Sequence, residues 1–505
     1  MTIQRPLRLH DLFDRQLSID AERIFLYTAE GNVSYGQLAR MSSLLEAELR
    51  EAGVVPDDRV MAVAENCPEH VALIMACSRI GAWSCGVNAR MSAGEIHSFL
   101  DKADPRLVYF THAVSDAAAA HADAGNAVPS VLPGISHSMP RSGATAETSA
   151  LAGQIAAIIF TSGTTGASKG VMVSHAGLTH FGKVSAESRR LGPDDRSYAY
   201  LPMTHIFGLG TVLSASLYAG SSLIMRSRFD PADVFAALEH EGVTNLQGPP
   251  AMFSRLVAWL QAQGIDRPAC ASLRYLYTGA APLDMTLKRD IERRFGQPLH
   301  HGYGLSEYAG SVCLVPMGQR RDDTAAGFEV DGGEVRIVGE DGTVPPQGER
   351  GEIWIRGIGL MPGYFRDPDA TAAVMRPGGW YASGDIGFIG PDGALHVVGR
   401  LKEMIIRSGF NVYPGEVEAV LHDFPGIQRA AVVGRKERDG NEEVLAFVET
   451  INGAPIDLSA LDRHLSNRLA PYKRPSRVVR LDALPMTLSG KVLKRVLLEN
   501  YAVED

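Results

Sequence analysis

The sequence has few of the features that mark disulfide-rich, metal-scaffolded or membrane-spanning proteins. Its 505 residues include five cysteines, which lie too far apart for the paired spacings that zinc sites and redox motifs require. The longest apolar runs, such as residues 155–160, are far too short to cross a bilayer. Residues 1–14 contain arginines and aspartates, so this segment lacks the apolar centre of a signal peptide. We therefore expect no membrane span and a location in the cytoplasm or an equivalent reducing compartment. The cysteines expected in the core or in neutral surroundings are Cys67, Cys77, Cys85, Cys270 and Cys313.

The chain also lacks a large excess of charge of one sign. It has 49 lysines and arginines against 58 aspartates and glutamates, a formal net charge of -9, and the two signs are mixed along the chain. Proteins that bind nucleic acid gather basic residues in blocks or on one face, so we expect no nucleic-acid partner. A chain of 505 residues exceeds the length at which one hydrophobic core keeps growing, which predicts at least two domains.

The first part of the chain has the pattern of an α/β domain. Short apolar runs alternate with amphipathic stretches, as is typical of strands and helices wound around mostly parallel sheets. Ser92 and Glu95 form a capping-box pattern, and Asp230-Pro231 is typical of the start of a helix. Residues 127–150 are rich in Pro, Ser, Gly and Ala, which predicts a surface loop.

The pattern changes in the last third of the chain. Residues 334–338 and 352–356 alternate polar and apolar side chains around turn sequences, which predicts a small antiparallel sheet. A helix after Pro414, apolar runs at 430–433 and 444–448, and a last helix from Val492 indicate a compact α+β domain. The expected fold class is therefore α/β, with doubly wound sheets and a small β subdomain in a large N-terminal domain, followed by a small α+β C-terminal domain.

One segment has the composition of a phosphate-binding loop. Residues 161–170 read Thr-Ser-Gly-Thr-Thr-Gly-Ala-Ser-Lys-Gly, between an apolar run and an alternating stretch. The glycines let backbone N–H groups approach a polyphosphate, while the hydroxyls and Lys169 add donors and positive charge. Lys169 is followed by Gly170 rather than by Ser or Thr, and a strand is predicted to follow, so this is not a Walker loop. A flexible polar hairpin is the alternative.

Five further short motifs follow this loop. They are Leu-Pro-Met-Thr-His-Ile-Phe-Gly at 201–208, Tyr-Gly-Leu-Ser-Glu at 303–307, Tyr-Ala-Ser-Gly-Asp at 381–385, Gly-Arg-Leu-Lys-Glu at 399–403 and Leu-Ser-Gly-Lys at 488–491. With the glycine-rich loop they resemble, in order and along nearly the whole chain, the adenylate-forming superfamily of acyl-CoA synthetases, carrier-protein adenylation domains and luciferases. The resemblance implies a large AMP-binding domain over residues 1–399 and a small mobile domain over 400–505, with the hinge at Lys402.

The resemblance also implies an AMP-forming acid–thiol ligase. Carboxylates react poorly with thiols, so the acid first displaces pyrophosphate from ATP, and the resulting acyl-adenylate then passes its acyl group to a thiol. Ser306 stands where the family usually has Thr, and the hydroxyl is retained. The implied ATP and AMP contacts are Thr161, Ser162, Gly163, Thr164, Thr165, Gly166, Lys169, Gly279, Ala280, Ala281, Tyr303, Gly304, Ser306, Asp385 and Arg400.

Four residues are implied to take part in the chemistry or to lie beside it. Lys491 would bridge the substrate carboxylate and the α-phosphate. Glu307 offers an oxygen ligand for Mg²⁺, with Thr165 as a second contributor. His205 corresponds to a residue that shields the acyl pocket. A surface lysine, an exposed glutamate and a packed histidine are the structural alternatives.

CoA is the acyl acceptor that the resemblance favours. Gly409 would line the passage for the pantetheine arm, while Arg90 and Arg474 match positions that touch CoA phosphates in some ligases or are surface arginines. Asp439 stands where several CoA ligases carry a tryptophan, so a carrier-protein phosphopantetheine is the alternative acceptor. Gly302 matches fatty-acyl and hydroxycinnamoyl ligases, and its missing side chain predicts room for a long or aromatic acyl group. The expected partners are thus a fatty or aromatic acid, ATP, Mg²⁺ and CoA, with a carrier protein and a homodimer left open.

Overall fold

A computed structural model describes residues 7–161, 168–407, 410–436, 441–486 and 492–501 of the chain. Two large sheets come first along the chain, a small antiparallel sheet follows them, and an α+β region comes last. The expected fold class is confirmed.

The first large sheet has seven strands within the described residues. Its inner strands pair in parallel, and antiparallel strands close both edges. Three of the inner strands are buried along their whole length, as expected where both faces of a parallel sheet are covered. In spatial order the strands are Val128–Pro129, Ser136–His137, Leu107–Phe110, Arg59–Ala64, Trp83–Asn88, Ile155–Thr161 and Lys169–Ser174.

The second large sheet has nine strands in the described part of the chain and continues the α/β pattern. Its middle strands are parallel, and both ends of the sheet are antiparallel. In spatial order the strands are Phe328–Glu329, Gly310–Leu314, Leu299–Leu305, Tyr275–Thr278, Asn245–Gly248, Arg196–Ala199, Ser222–Met225, Ile24–Thr28 and Gly31–Ser34. One continuous hydrophobic core contains residues of both sheets, such as Val60 and Leu223, so the two sheets pack as one unit.

Helices lie between these strands along the chain, and both predicted helix starts are confirmed. Ser92 and Glu95 form a capping box, and the Asp230 side chain accepts a hydrogen bond from the Ala232 N–H. The α-helices up to residue 372 are Leu9–Ile19, Tyr35–Glu51, Pro68–Ile80, Ala93–Ala103, Asp116–Ala124, His175–Ser188, Ala215–Ala219, Pro231–His240, Pro250–Ala262, Met285–Phe295 and, next to the small sheet described below, Pro368–Ala372. Phe207–Ser214 is a π-helix, and Ala152–Gln154 and Ser306–Tyr308 are short 3₁₀ turns.

The segment 127–150, predicted as a surface loop, also contains two short strands that extend the first sheet. A single carboxylate holds this segment against the helix Tyr35–Glu51: Glu48 accepts hydrogen bonds from Tyr109 Oη (2.8 Å), Ser130 Oγ (2.7 Å) and the Val131 N–H (2.6 Å). The loop prediction therefore missed an edge that long-range hydrogen bonds stabilise.

The predicted small antiparallel sheet is confirmed. It contains Gly333–Val338, Gly351–Gly357, Met375–Arg376, Trp380–Ile389 and Leu395–Arg400. Asp385 and Arg400 are directly opposite each other on two of these strands.

The last region has the predicted α+β composition. Its strands are Ile405–Arg407, Phe410–Val412, Ile427–Lys436, Glu442–Thr450 and Arg477–Leu481, its helices are Pro414–His422, Leu458–Ser466 and Lys494–Tyr501, and its short 3₁₀ turns are Leu401–Glu403, Ile451–Gly453 and Pro471–Lys473. Arg350 of the large domain forms an ion pair of 3.3 Å with Glu416 of the first of these helices.

Two further findings concern the expected absence of a membrane span and the state of the cysteines. Among the described residues, no helix combines the length and the apolarity needed to span a membrane. All five cysteines are free, and four of them are buried, which confirms their assignment as core or neutral residues.

Candidate active site

One strand and the turn after it carry four of the residues implied to contact ATP or metal. Tyr303 and Gly304 lie near the end of the strand Leu299–Leu305, and Ser306 and Glu307 begin the turn that follows. A Cβ at Gly304 would lie 2.2 Å from the Gly310 carbonyl oxygen, so only glycine allows the neighbouring strand this close. Tyr303 and Ser306 are buried, while Glu307 is half-buried.

Tyr303 meets the small antiparallel sheet at Asp385. The Tyr303 hydroxyl donates to Asp385 Oδ2 at 2.6 Å, and Arg400 Nε lies 3.1 Å from Asp385 Oδ1. Burial and then the charge of Asp385 raise the pKa of the Tyr303 hydroxyl, which therefore remains a neutral donor. The same carboxylate charge raises the pKa of Arg400. The three side chains thus form one charge-balanced cluster, in which Tyr303 and Asp385 are buried and Arg400 lies at the surface.

Glu307 belongs to a second cluster, next to the glycine-rich loop. Its Oε1 accepts a hydrogen bond from the Tyr364 hydroxyl at 2.9 Å, and that hydroxyl lies 3.3 Å from the hydroxyl of Tyr381. Lys169 Nζ lies 4.5 Å from the centre of the Tyr364 ring, within the range of a cation–π contact. Burial, followed by the charge of Glu307, raises the pKa of Tyr364, so this hydroxyl also stays a donor.

The two ends of the glycine-rich loop are adjacent strands. Thr161 is opposite Lys169 where the strands Ile155–Thr161 and Lys169–Ser174 pair antiparallel. A strand therefore follows the loop, as predicted, and the arrangement differs from a Walker loop. The loop residues implied to contact phosphate lie outside the described residues: Ser162, Gly163, Thr164, Thr165 and Gly166.

Gly279, Ala280 and Ala281 follow the strand Tyr275–Thr278. A Cβ at Gly279 would meet the Tyr277 hydroxyl at 2.9 Å, so a side chain there would require the Tyr277 ring to shift. Ala280 is exposed and has a φ of 67°. A non-glycine residue in the left-handed region costs about 1–2 kcal/mol, and such strain is concentrated at functional sites.

His205 and Gly302 lie near the same aromatic side chains. His205 Nδ1 accepts a hydrogen bond of 3.1 Å from the Phe207 N–H, and the Phe207 ring packs edge-on against Tyr277 at 5.8 Å. A Cβ at Gly302 would lie 2.5 Å from the Tyr277 hydroxyl and 2.6 Å from Leu314 Cδ2. In this structure, the room left by the missing side chain at Gly302 is occupied by protein atoms.

The arginines implied to contact CoA have partners within the protein. Arg90 Nε lies 3.0 Å from Oε1 of the buried Glu65. Arg474 donates to the carbonyls of Leu469 (2.9 Å) and Ser466 (3.2 Å), at the end of the helix Leu458–Ser466. Local structure accounts for both side chains without a ligand.

Four implied residues remain. One of them lies in a described turn, and the other three lie outside the described residues. Lys402 is exposed in the turn Leu401–Glu403, between the small sheet and the C-terminal region. Gly409, Asp439 and Lys491 fall in the undescribed segments.

Sequence reasoning missed Tyr364, the residue that connects Glu307 with Lys169. No local pattern marks it, because it follows a Met-Pro-Gly turn at 361–363 and meets Glu307 only through the fold. Tyr381 stands in one of the recognised motifs, but no role was assigned to it.

Comparison with known proteins agrees with this geometry. The AMP-binding enzyme family matches residues 13–365, and the AMP-binding enzyme C-terminal domain matches residues 416–491. A feruloyl-CoA synthase from an Amycolatopsis species is 35% identical and covers 92% of both chains. An indoleacetate–CoA ligase from Aromatoleum aromaticum is 33% identical and covers 97% of both chains. The crystal structure of ATP-bound MatB from Rhodopseudomonas palustris superposes with a TM-score of 0.86 at 30% identity, covering 98% of this chain and 99% of that chain. The chain therefore belongs to the AMP-binding enzyme family, the adenylate-forming superfamily whose motifs it carries in order.

Proposed function

We propose that the chain is an ATP-dependent, AMP-forming ligase that activates an aromatic carboxylic acid as its acyl-adenylate and transfers the acyl group to CoA in the cytoplasm. The observation that carries the proposal is the position of two clusters on one strand and the turn that follows it, at Tyr303 and Glu307. The Tyr303–Asp385–Arg400 cluster suits a nucleoside, and the Glu307–Tyr364–Lys169 cluster suits its phosphates.

The nucleoside cluster offers complementary contacts to adenosine monophosphate. The fixed Asp385 carboxylate is suited to accept hydrogen bonds from ribose hydroxyls, and the Arg400 guanidinium beside it is suited to contact the ribose and phosphate region. The ring of Tyr303 is suited to stack on adenine. We assign Ser306 to the α-phosphate and the backbone of Gly279–Ala281 to the base.

The phosphate cluster fits a magnesium nucleotide. Mg²⁺ in nucleotide enzymes is held by one or two carboxylates together with substrate phosphates and water, and Glu307 supplies one half-buried carboxylate that Tyr364 orients. We assign the remaining coordination positions to the phosphates of the nucleotide and to water. We assign Glu307 and Thr165 to Mg²⁺, which would screen the phosphate charges.

Adenylation brings an anionic carboxylate to an anionic phosphate, so positive charge and positioning must supply much of the catalysis. Lys169 already stands beside the phosphate cluster, and we assign Lys491 to the α-phosphate and the incoming carboxylate. We further propose that the domains meet at 399/400 and that rotation about Lys402 withdraws Lys491 before the thiol enters past Gly409.

Two observations support an aromatic acid. The rings of Phe207 and Tyr277 pack against each other where we place the acyl pocket; the Phe207 N–H bonds His205, and the Tyr277 hydroxyl adjoins Gly302. The two curated relatives named above form CoA thioesters of ferulate and indoleacetate, and both are aryl acids. The same two names favour free CoA over a carrier protein, although Arg90 and Arg474 are engaged within the protein.

The test measures pyrophosphate release by the purified chain with Mg-ATP and a panel of acetate, octanoate, cinnamate, ferulate and indoleacetate, followed by chromatography of the products with CoA. We expect pyrophosphate release and aryl-CoA formation with the aromatic acids. A parallel reaction supplies a holo carrier protein instead of CoA. Absence of pyrophosphate release with every acid would overturn the ligase assignment, and preference for octanoate would overturn the aromatic assignment. Acyl transfer only to the carrier protein would replace CoA as acceptor.

A further inference from the structure

The helix Ala93–Ala103 contacts both ends of the glycine-rich loop. The ring of its Phe99 packs against the ring of Phe160, the residue just before the loop, with the ring centres 4.5 Å apart. Lys102, in the last turn of the helix, donates from Nζ to the Ser168 carbonyl oxygen at 2.7 Å. Residues three positions apart lie on the same face of a helix. One helix face therefore contacts the strand that enters the loop and a residue near the end of the loop.

The Lys102 ammonium lies between the loop and a second segment of the chain. Its side chain is 24% exposed, and Nζ is 4.0 Å from Asp367 Oδ2. The other oxygen of that carboxylate, Oδ1, accepts a hydrogen bond from the Ala370 N–H at 3.1 Å, at the start of the helix Pro368–Ala372. A hydrogen bond donated by an ammonium is stronger than one between neutral groups. The charge and the donor of this lysine are thus directed at the Ser168 carbonyl.

The segment 363–367 pairs with the strand that follows the loop. The Phe365 N–H donates to the Gly170 carbonyl at 2.7 Å, and the Met172 N–H donates to the Gly363 carbonyl at 3.2 Å. The residue between Gly363 and Phe365 is the tyrosine of the phosphate cluster. The carbonyl before the loop lysine is therefore bonded to the helix lysine, and the carbonyl after it is bonded to this segment.

These contacts set the direction of Lys169. The Ser168 carbonyl and the Lys169 N–H belong to one planar peptide group, so a bond to the oxygen also orients the N–H. Lys169 is opposite Thr161 in the strand pair, and its Nζ lies 4.5 Å from the centre of the Tyr364 ring. The assignments made above give the α-phosphate to other residues. They leave Lys169 for the two phosphates that depart as pyrophosphate.

We infer that Lys102 is a positioning residue for adenylation, which orients Lys169 toward the pyrophosphate portion of ATP without contacting the nucleotide itself. The inference rests on the proposed function and concerns a residue outside every recognised motif. The nucleoside cluster of Tyr303, Asp385 and Arg400 stands on other strands. Loss of the Lys102 contact should therefore weaken the binding of ATP, whereas AMP, which lacks the two departing phosphates, should bind as before.

The experiment uses Lys102→Met, which removes the donor and keeps most of the apolar stem. Dissociation constants of Mg-ATP and of AMP are measured by calorimetry in the absence of acid. We expect the variant to bind Mg-ATP about tenfold more weakly, the size of one hydrogen bond to a charged group, with AMP binding unchanged. Acyl transfer from presynthesised acyl-adenylate to CoA should keep its wild-type rate, because that step binds no pyrophosphate. Lys102→Arg retains a charged donor and should recover most of the affinity for Mg-ATP.

The matched control is Lys183→Met, since Lys183 also lies on a helix and pairs with a carboxylate, Asp331, at 3.7 Å. It should leave the affinity for Mg-ATP unchanged. If a melting curve shows that Lys102→Met is not folded, Lys102→Gln, whose side chain is shorter but polar, takes its place. Unchanged Mg-ATP affinity in the folded variant, or an equal loss of Mg-ATP and AMP affinity, would overturn the inference. Failure of the proposed function would be visible separately, as Mg-ATP binding by the wild-type chain without pyrophosphate exchange with any acid.

Discussion

Replacement of Asp385 by asparagine tests the nucleoside cluster directly, because it removes one charge and keeps the size of the side chain. Asp385 Oδ2 accepts from Tyr303 at 2.6 Å, and its Oδ1 lies 3.1 Å from Arg400 Nε. An amide oxygen can still accept from Tyr303, and the Arg400 side chain is 45% exposed, so we expect a folded variant. A partly exposed ion pair contributes about 0–1 kcal/mol to stability.

The effect on ATP should be much larger than the effect on stability. A hydrogen bond to a charged group contributes about 1.5–3 kcal/mol, and about 1.4 kcal/mol corresponds to a tenfold change in affinity. If the carboxylate accepts from the ribose, Asp385→Asn should raise the KM for ATP roughly 10- to 150-fold in ATP–pyrophosphate exchange. The rate at saturating ATP should change far less.

Deoxy-ATP analogues make the test specific to the ribose. The wild-type chain should discriminate against analogues that lack a ribose hydroxyl, and Asp385→Asn should lose most of that discrimination, because the two changes remove the same contact. Additive penalties would refute the assigned contact. Asp392→Asn is the matched control, since Asp392 is in the same subdomain and pairs with Arg321 at 2.8 Å, away from the cluster. It should leave the KM for ATP unchanged, and melting curves should show that both variants are folded.

Three further predictions concern the phosphate cluster, the lysine of the last motif and the first sheet. Tyr364→Phe removes the donor that orients Glu307. It should raise the Mg²⁺ concentration for half-maximal adenylation by about tenfold, the size of such orienting contacts in metal sites, and an unchanged Mg²⁺ titration would contradict the role. Lys491→Ala should slow adenylation by roughly 10²–10³ while sparing acyl transfer from presynthesised acyl-adenylate to CoA, and equal loss of both steps would rule out the two-conformation mechanism. For Glu48, burial acts to raise the pKa, but hydrogen bonds, first from His137, lower it to about 2 from 4.5. Its ionised form therefore stabilises the fold above pH 4.5 and loses this effect as the pH falls toward 2. In urea unfolding, Glu48→Gln should be less stable than wild type at neutral pH, with a gap that narrows across this acid range, and a constant gap would show that the effect is not ionic.

The sequence by itself determined the class of each region and the identity of the family. The apolar run at 155–160 is a local pattern of a buried strand, and it forms the strand Ile155–Thr161, whose first five residues are buried. The motif at 303–307 and the one at 381–385 were recognisable because each is a short run of adjacent residues. Patterns formed by adjacent residues can be recognised from the sequence alone.

Only the tertiary structure decided how the motifs meet. The 2.6 Å contact between Tyr303 and Asp385 joins residues 82 positions apart, and no local pattern encodes such a distance. Tyr364 reaches Glu307 across 57 positions for the same reason. Arg189 and Arg190 look alike in the sequence, as two charged residues at the end of a helix, yet one is buried and the other exposed. Which of two adjacent charges enters the core depends on what the strands and the π-helix place around it, and that is settled when the chain packs.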